Sequence, residues 1–484
     1  MAEKRPTRVG VYIGTEQKGF LIALGLVLSR RCDVQFIARN RDIRKVILRH
    51  APELSEKIVV VDDLQPTVDP QDVVKESLER EKKYGEFFTM LMSYDRALGQ
   101  GYLFNADRHP HIYRSEWPHE AKLKSMLEQF LTFEQVFERC SSDIILGHDR
   151  PIVFDIIARK NGAMYLTLGS ARYGNRYIWF EDRFEGKSAF FDGVDRCLGD
   201  SRLLEEAITY EQYGQYKETS KSLDYSYPKA VRQAAMIFLR QTYIRLRGIK
   251  KKDSYVFCGW VPPVLRSPAN YRYFQKNGVK PEDLGRYKVV YFPLHQEPES
   301  ALLFISPEFN NSMEIAAWVS KSLPCDTILV LKENPWAFGV RSRRYYRTLK
   351  KISNVFLAHP GISSEEWVRR SSLVVTITGT IGYEAVYFHR PVLSYGSHQL
   401  INRLPTVRYS NNVFSTSEHV ADLLALDPQD KVFEKSKHAL HKSLMEASFD
   451  MPGYEKLYSS GDLHLEQAKL AAERLAQEYP SLFS

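Results

Sequence analysis

The segment Leu373–Tyr395, LVVTITGTIGYEAVYFHRPVLSY, constrains the fold more than any other part of the chain. Two short apolar runs, Leu373–Ile377 and Val392–Tyr395, have the length and composition of buried strands. Between them lie a turn of small residues and a helical stretch at about 382–388, which ends before Pro391. This order of strand, turn, helix and strand predicts a parallel sheet in an α/β protein.

The turn of this segment carries groups that a ligand could use. Gly379 and Gly382 allow close approach of the backbone, and Thr378 and Thr380 add hydroxyl groups next to a helix N-terminus, which attracts anions. Glu384 lies one turn further on, where a carboxylate could accept hydrogen bonds from a sugar or a base. The same residues also fit an ordinary sheet turn in which a threonine caps the helix.

The length and composition set the class of protein. A chain of 484 residues is too long for one ordinary core, which predicts two domains. Hydrophobic residues make up 44% and charged residues 26%, as in soluble globular proteins. The net charge of +8 suits an anionic ligand, an anionic membrane surface or nucleic acid and does not choose among them. Of these partners, we expect no nucleic acid.

The cysteines and the chain start predict a cytoplasmic protein. Five cysteines are scattered without CxxC spacing, which argues against a zinc site and a disulfide framework and fits a reducing compartment. No apolar run approaches the roughly 20 residues that span a bilayer. The polar N-terminus leads directly into a strand and does not have the pattern of a signal peptide.

The first part of the chain has the pattern of a βαβ unit. Arg8–Ile13 predicts a strand, Gly14–Gly19 a turn bounded by glycines, Phe20–Ser29 a helix and Val34–Ala38 a second strand. The turn is not GxGxxG, and no GxxxxGK[ST] sequence occurs, so the fingerprints for dinucleotides and P-loop triphosphates are missing. A long helix is predicted from about Gln71 to Leu98.

His148 and Asp149 follow a further predicted strand, Asp143–Leu146. In open α/β sheets ligands bind at the carboxyl ends of strands, so these two residues are candidates for acid–base or nucleophilic catalysis. The alternative is that Asp149 caps the next helix and His148 is a surface residue.

Two segments between the strands carry candidate contacts to an acceptor or a membrane. The loop Gly101–Trp117 is aromatic and contains His109 and His111, for which substrate contact and an incidental surface position are both open; no acidic or cysteine partner is spaced for a metal. The segment Ile237–Lys252 mixes large apolar residues with cations and suits an anionic membrane surface or an acidic glycan, or a solvated helix between domains. The candidate contact residues in this segment are Arg240, Arg245, Arg247 and Lys250.

Polar side chains follow three successive predicted strands in the second half of the chain. Parallel strands bring their carboxyl ends to one edge of a sheet, so we expect these side chains to meet there and to hold the phosphate and ribose of a nucleotide. They are His295, Glu299 and Ser300 after the first strand, Lys332 and Asn334 after the second, and Thr378, Gly379, Thr380 and Glu384 after the third.

The second half also resembles the capsule polysaccharide biosynthesis protein family, bacterial enzymes of surface-glycan synthesis that include Kdo-transferase-like members. The similar residues lie within Tyr287–Gly396. In one motif the family often has Lys-Glu-His-Pro, with a histidine thought to contact the nucleotide phosphate; Asn334 stands there and can donate a hydrogen bond but carries no charge. The motifs are Pro293–Ser300, Leu331–Pro335, Thr376–Ala385 and Pro391–Gly396.

The resemblance implies two Rossmann-like domains in a GT-B-type arrangement, with a helical insertion and a C-terminal helical tail. The expected parts are an acceptor domain at 1–202, a basic helical insertion and hinge at 203–280, a nucleotide-sugar domain at 281–415 and a tail at 416–484. The implied activity is transfer of a sugar from a CMP-, UDP- or other NDP-linked donor to a polysaccharide or lipid-linked glycan.

Within that activity each candidate has an expected role. Lys332, Asn334 and the threonine turn offset charge on the leaving phosphate, Glu384 holds ribose or base, and Asp149 or His148 deprotonates the acceptor or acts as a nucleophile. No DxD sequence is suitably placed, so no obligatory metal is expected. We expect a cytoplasmic location with peripheral contact to anionic lipids of the inner membrane. Two alternatives remain open: a polyol-phosphate transferase of the same layout, and a non-catalytic glycan- or membrane-binding scaffold.

Overall fold

A computed structural model describes residues 6–14, 16–64, 66, 68–69, 71–95, 98, 117–200, 208–211, 224–247, 257–297, 299–306, 308–309, 311–451 and 462–483. These residues form two sheets, each covered by helices on both faces. The predicted α/β class with two Rossmann-like domains is confirmed.

Seven strands of the described residues form the sheet of the first domain, in the order β13-β6-β5-β4-β1-β2-β3. The strands β1 to β5 are parallel, β6 pairs with β5 in the antiparallel direction, and β13 pairs with β6 in the antiparallel direction. Their bounds are β1 Arg8–Ile13, β2 Asp33–Ala38, β3 Ile58–Val60, β4 Ile144–Gly147, β5 Met164–Ser170, β6 Arg176–Phe180 and β13 Phe449–Asp450.

Six strands of the described residues form the sheet of the second domain, in the order β12-β11-β10-β7-β8-β9. All of its pairings are parallel. This is the strand order 3-2-1-4-5-6 of a doubly wound dinucleotide-type sheet. The bounds are β7 Lys288–Pro293, β8 Thr327–Lys332, β9 Val355–Leu357, β10 Leu373–Thr376, β11 Val392–Ser394 and β12 Val407–Tyr409.

The α-helices of the described residues connect these strands and cover both sheets. They run over Lys18–Leu28, Arg41–His50, Val73–Tyr84, Phe88–Tyr94, His119–Cys140, Ile152–Lys160, Ser188–Gly199, Tyr227–Leu246, Val261–Asn277, Ser300–Ile305, Ser312–Lys321, Arg343–Leu349, Ser364–Arg370, Ile381–Tyr387, Val413–Leu424, Lys431–Ala447, Leu465–Glu478 and Pro480–Phe483.

Burial on both faces explains why the strands are continuous apolar runs. In β1, Val11 packs in the cluster on one face of the sheet, and Tyr12, the next residue, packs in the cluster on the other face. Successive side chains of a strand point to opposite faces, so a strand that is covered on both sides is apolar throughout.

The single helix predicted over about 71–98 is wrong, because the structure has two helices there, Val73–Tyr84 and Phe88–Tyr94. Gly85 ends the first of them in the left-handed conformation, with φ of 74°, and its N–H donates to the Glu81 carbonyl at 2.8 Å. A glycine adopts that conformation without steric cost and closes a helix at this point.

The last part of the chain returns to the first domain. The helix Lys431–Ala447 packs on Ser188–Gly199, and β13 then adds an edge strand to the first sheet. The helix Leu465–Glu478 covers the helix Lys18–Leu28, and the Trp179 indole N–H donates to the Ala471 carbonyl at 3.2 Å. The segment predicted as a helical tail therefore also carries a strand and completes the core of the first domain.

An apolar core continues across the boundary between the domains. One cluster contains Tyr173 and Phe190 of the first domain together with Val374 and Tyr387 of the second, and Leu444 packs in the same cluster. The stacked rings of Tyr173 and Tyr387 have centroids 5.5 Å apart. Among the described helices, none is both long enough and apolar enough to cross a membrane.

Gly19 is the point at which the returning segment comes closest to the first helix, which makes its substitution a test of this packing. A Cβ built on Gly19 would lie 1.8 Å from the Asp462 carbonyl oxygen. We expect Gly19→Ala to lower the free energy of unfolding by roughly 1–3 kcal/mol, as overpacking does, when measured by urea denaturation.

Gly199→Ala is the matched control, because a Cβ at Gly199 meets no atom within 4 Å. That substitution should be neutral or slightly stabilising. Equal stability of the two variants would show that Asp462 does not pack on Gly19.

Candidate functional site

The candidate donor site lies where the chain reverses direction in the second sheet. From β7 the chain moves outward to β8 and β9, and it then returns to β10 on the other side of β7. In open α/β sheets this reversal leaves a crevice outside the carboxyl ends of the two central strands, and ligands bind there. His295 follows β7 and Thr378 follows β10, so both lie at this crevice.

A hydrogen bond joins the two sides of the crevice. The Thr378 backbone N–H donates to His295 Nε2 at 3.1 Å. Burial lowers the pKa of His295 to about 3, and the charges of Arg341 and Arg172 add to this effect. The imidazole is therefore neutral at pH 7 and carries its proton on Nδ1, which has no partner among the described residues. The crevice thus holds a buried N–H donor that is unused.

Arg341 fixes the loops that follow β7 and β8. Its guanidinium lies 3.3 Å from Glu297 and 2.6 Å from Glu333, and it also donates to the His295 carbonyl. The Tyr346 hydroxyl donates to the second oxygen of Glu333 at 2.6 Å. All three charged groups are buried. Buried ion pairs of this kind hold their loops rigidly, because breaking one would leave uncompensated buried charge.

Lys332 places a cation at the end of β8, opposite Pro293 of β7. Its Nζ donates to the Ser364 hydroxyl at 3.2 Å. Burial lowers its pKa to about 8, while Glu384 and Glu366 favour the charged form. No carboxylate of the described residues lies within 4.0 Å of this Nζ, so the charge is available for an anion.

Glu384 is a buried carboxyl group on the helix Ile381–Tyr387. Burial raises its pKa to about 7, and Glu365 raises it further, while a hydrogen bond from Tyr210 and the charge of Lys332 act in the opposite direction. The Tyr210 ring packs on Tyr387, with centroids 5.3 Å apart. Glu384 therefore already accepts a hydroxyl group, the interaction that the sequence predicts for ribose.

The threonine turn is built differently from the capped helix considered above. Thr380 occupies the N-cap position, but its side chain makes no capping hydrogen bond. The Thr376 hydroxyl instead accepts from the Gly379 N–H at 3.0 Å. Helix capping therefore does not explain the threonines of this turn. Thr378 is buried in the turn.

The remaining predicted donor-site residues lie at nearby helix starts. Asn334 Oδ1 accepts from the Trp336 N–H at 3.0 Å and so caps a short 3-10 turn, which leaves its amide N–H groups for other partners. Glu299 occupies the N-cap position of the helix that begins at Ser300. That Asn334 and Glu299 contact a nucleotide stays a prediction.

A second polar cluster lies at the reversal point of the first sheet, between β1 and β4. Ligand-type atoms of Glu16, His148 and Asp149 lie within 4.8 Å of one another. A Cβ on Gly14 would lie 1.7 Å from Asp149 Oδ2, so only glycine lets this carboxylate lie against the end of β1. The Tyr165 hydroxyl donates to the Asp149 carbonyl at 3.0 Å.

His148 has an oxygen atom near each of its ring nitrogens. Nδ1 lies 3.2 Å from the Leu168 carbonyl and Nε2 lies 3.5 Å from Glu16 Oε2. Burial alone would lower the pKa of His148, but the hydrogen bond to Glu16, the charge of Asp149 and the Leu168 carbonyl together raise it. The N-cap of the following helix is Pro151, with no side-chain cap, so the alternative of Asp149 as that cap is not realised.

Arg172 joins the two crevices. It follows β5 and donates to the Thr378 carbonyl of the second domain, while its other nitrogen lies 3.1 Å from Glu185. Its guanidinium also lies over the Tyr383 ring, 5.6 Å from the centroid. Its φ is 60°, a conformation that costs a non-glycine residue energy and that such contacts can hold in place.

The structure describes only part of the predicted acceptor and membrane contacts. His109, His111 and Lys250 are outside the described residues. Arg240 and Arg245 are exposed on the helix Tyr227–Leu246, and Arg247 is exposed directly after it.

Reasoning from the sequence missed several residues of the donor crevice. Arg172 and Tyr210 come from segments far away in the chain, and no local pattern marks either. A signal for Arg341 was present, because Glu297 and Glu333 lie within the predicted motifs and buried carboxylates need a cation.

No protein-family model matches the chain, and no curated protein matches it. Solved structures with a similar fold include KpsC of Thermosulfurimonas dismutans, described as a beta Kdo 2,7 transferase, with 12% identity and a TM-score of 0.32 over 70% of this chain and 88% of that one.

Two further similar structures contain a uridine nucleotide. S. aureus MnaA with UDP has 13% identity and a TM-score of 0.27 over 98% of this chain and 97% of that one. Anabaena HepE with UDP-glucose has 10% identity and a TM-score of 0.28 over 97% and 100%. At such identities and TM-scores, the ligand and reaction of this chain have to be argued from its own residues.

Lys332 gives a test of the donor crevice. We expect Lys332→Ala to weaken nucleotide binding by roughly 1.5–3 kcal/mol, the range for hydrogen bonds to charged groups. The measurement is calorimetric titration with whichever of CMP, UDP, GDP and dTDP raises the melting temperature. Lys351→Ala, at an exposed position after the helix Arg343–Leu349, should bind as the wild type does. Unchanged affinity in folded Lys332→Ala would remove Lys332 from the site.

The raised pKa of Glu384 predicts a pH dependence of stability. Its carboxyl group has a usual pKa of 4.5 and a pKa of about 7 in the folded protein, so between these values the folded chain holds a proton that the unfolded chain has lost. Stability should therefore fall by roughly 1–3 kcal/mol as the pH rises from 4.5 to 7. Glu384→Gln should remove this part of the slope in urea denaturation.

Glu314→Gln, at an exposed position of the helix Ser312–Lys321, is the control and should keep the slope of the wild type. If Glu384→Gln and Glu314→Gln give the same pH profile, then Glu384 ionises normally and is not buried as described.

Proposed function

We propose that the protein is a glycosyltransferase that moves a sugar from a nucleotide-sugar donor to a surface polysaccharide or glycolipid acceptor. The observation that supports this most is the pair of polar crevices, one at the reversal point of each sheet, joined by Arg172. One crevice offers a cation and an unused N–H donor, which suit phosphate, and the other offers a carboxylate, which suits a sugar hydroxyl.

On the donor side, three groups have the chemistry to hold a nucleotide diphosphate or monophosphate. Lys332 supplies positive charge, and the His295 Nδ1–H supplies a neutral donor whose position is fixed by the bond to Thr378. Donors that are already in place stabilise the charge that grows on the leaving phosphate, because little reorganisation is needed during the reaction. Glu384 would accept ribose hydroxyls, as it accepts the Tyr210 hydroxyl here.

On the acceptor side, Asp149 is the proposed base. The Leu168 carbonyl and Glu16 contact the two ring nitrogens of His148, so it is poorly suited to remove a proton from an acceptor. The ring instead lies next to the Asp149 carboxylate, whose charge raises the pKa of His148. The carboxylate is held against Gly14, at the end of β4 that faces the crevice.

We propose that the reaction needs no obligatory metal, because Lys332 and the buried N–H of His295 supply the charge compensation. Glu16, His148 and Asp149 have ligand-type atoms, but the Leu168 carbonyl and Glu16 already contact the ring nitrogens of His148. Turnover that survives EDTA supports this assignment, and turnover that EDTA abolishes and zinc or manganese restores contradicts it.

The experiment that tests the function is a panel of CMP-, UDP-, GDP- and dTDP-linked sugars with lipid-linked and polysaccharide acceptors. Mass spectrometry of the products distinguishes glycosyl transfer from polyol-phosphate transfer. A sugar added alone, with release of the nucleotide, supports glycosyl transfer, whereas a product that carries the polyol together with its phosphate supports a polyol-phosphate transferase. Binding of a glycan without release of any nucleotide would make the protein a scaffold.

Asp149→Asn tests the proposed base, because it removes the ionisable group and keeps the shape of the side chain. General-base catalysis contributes about 100- to 10,000-fold, so the turnover number should fall by that factor while nucleotide affinity stays unchanged. Asp143→Asn is the matched control at the opposite end of β4, where Asp143 pairs with Arg8 at 3.0 Å. It should affect stability and leave turnover intact. Near-normal turnover in Asp149→Asn would move the base elsewhere.

A further inference from the structure

The helix Tyr227–Leu246 buries its small residues and exposes its large ones. Ala230 and Ala234 are its buried residues, and it packs on the helix Val261–Asn277. Leu246 is 82% exposed and Leu239 is 66% exposed. An amphipathic helix of a water-soluble surface shows the reverse pattern. The other large apolar side chains exposed on this helix are Tyr227, Val231, Met236, Phe238 and Tyr243.

Four of the exposed apolar residues form one face. At 100° per residue, Ala230 and Ala234 share the side that packs on the protein, and Met236, Leu239, Tyr243 and Leu246 share the side that points away from it. Arg232, seven residues before Leu239, lies on that side too, so the apolar strip covers the second half of the helix, from Met236 to Leu246. Scattered single apolar residues on a surface are normal, but a contiguous strip marks an interaction site.

Cations border this strip. Arg240 and Arg247, seven residues apart, lie on one side of it, and Arg245 lies on the other side with its guanidinium 5.1 Å from the Phe257 ring centroid. Long basic side chains at the edge of an apolar face can extend their charged ends away from it.

The surrounding sequence concentrates the charge of the whole protein. Residues 225–252 contain eight Lys and Arg and no Asp or Glu. The formal charge of this segment equals the +8 of the entire chain, so the other residues carry as many acidic as basic groups. The positive charge is a local property of the helix and the residues after it.

We propose that the helix Tyr227–Leu246 docks the protein on an anionic lipid surface, with its apolar strip inserted among the acyl chains and its cations at the headgroups. A helix with an apolar face, basic flanks and no acidic residue lies in the plane of such an interface. This inference does not depend on the proposed reaction.

The same features disfavour other occupants. A soluble polyanion such as an acidic glycan would bind the cations but leave the apolar strip in water. A second copy of this chain would cover the strip but would bring the two sets of arginines together, because a twofold interface places the same patch on both partners. A lipid surface satisfies both parts of the helix.

The test is co-sedimentation of the full chain with phosphatidylcholine vesicles that contain or lack phosphatidylglycerol. The wild type should bind the anionic vesicles and bind the neutral ones more weakly. Leu239→Ser with Leu246→Ser should reduce binding by at least about tenfold, because each buried leucine contributes that order of partitioning. Arg240→Gln, Arg245→Gln and Arg247→Gln together should reduce binding to anionic vesicles by about fivefold per charge.

Matched controls change exposed apolar and basic residues elsewhere on the surface of the protein. Leu78→Ser with Phe414→Ser controls for apolarity, and Arg30→Gln, Arg31→Gln and Arg49→Gln control for charge. These variants should bind as the wild type does. Circular dichroism melting curves verify that every variant is folded.

The proposal is overturned if the wild type fails to bind anionic vesicles at low salt, or if the helix variants bind as well as the controls. It is also overturned if the wild type is a dimer by light scattering that the leucine substitutions convert to a monomer, because the strip is then a subunit interface. Competition by an acidic polysaccharide that the leucine substitutions leave unchanged would assign the helix to glycan binding instead.

Discussion

The buried guanidinium of Arg341 is the interaction on which the rest of the candidate site depends. It pairs with Glu297 after β7 and with Glu333 after β8, and it holds the carbonyl of His295. His295 then accepts from the Thr378 N–H, so the loops after three strands are linked by contacts that few alternative arrangements would satisfy. Removing one member of a buried charge pair typically costs about 3–5 kcal/mol, which makes this geometry rigid before any ligand arrives.

The fold turns that rigid edge into a site between two domains. The two sheets each reverse chain direction next to their first strand, β1 in one and β7 in the other, and polar side chains collect at both reversals. Arg172 links the first domain to the second by donating a hydrogen bond to the Thr378 carbonyl. The apolar core continues across the same boundary. The crevice of the second sheet holds two groups with shifted pKa values, Lys332 and Glu384, and such groups are common at functional sites.

The sequence predicted the two sheets because strands buried on both faces are apolar throughout, and it predicted the meeting of His295 with Thr378 because parallel strands end at one edge. It could not predict β13, since a short edge strand such as Phe449–Asp450 is determined by its pairing partner. Arg172 and Tyr210 were not predicted for the same reason. Their roles come from tertiary contacts, and their local sequence carries no periodic signal. The end of the helix at Gly85 could have been predicted from the sequence, because a glycine between two amphipathic stretches ends a helix.

The central claim is that a nucleotide binds between the ends of β7 and β10, and hydrogen–deuterium exchange of the full chain tests it most directly. Exchange is compared with and without a saturating amount of the nucleotide that stabilises the protein most. The account predicts slower exchange in peptides that cover residues 293–300, 332–334 and 376–384, which surround His295, Lys332 and Glu384. Protection confined to residues 14–17 and 147–150, at the crevice of the first sheet, or no protection with any nucleotide, would contradict it.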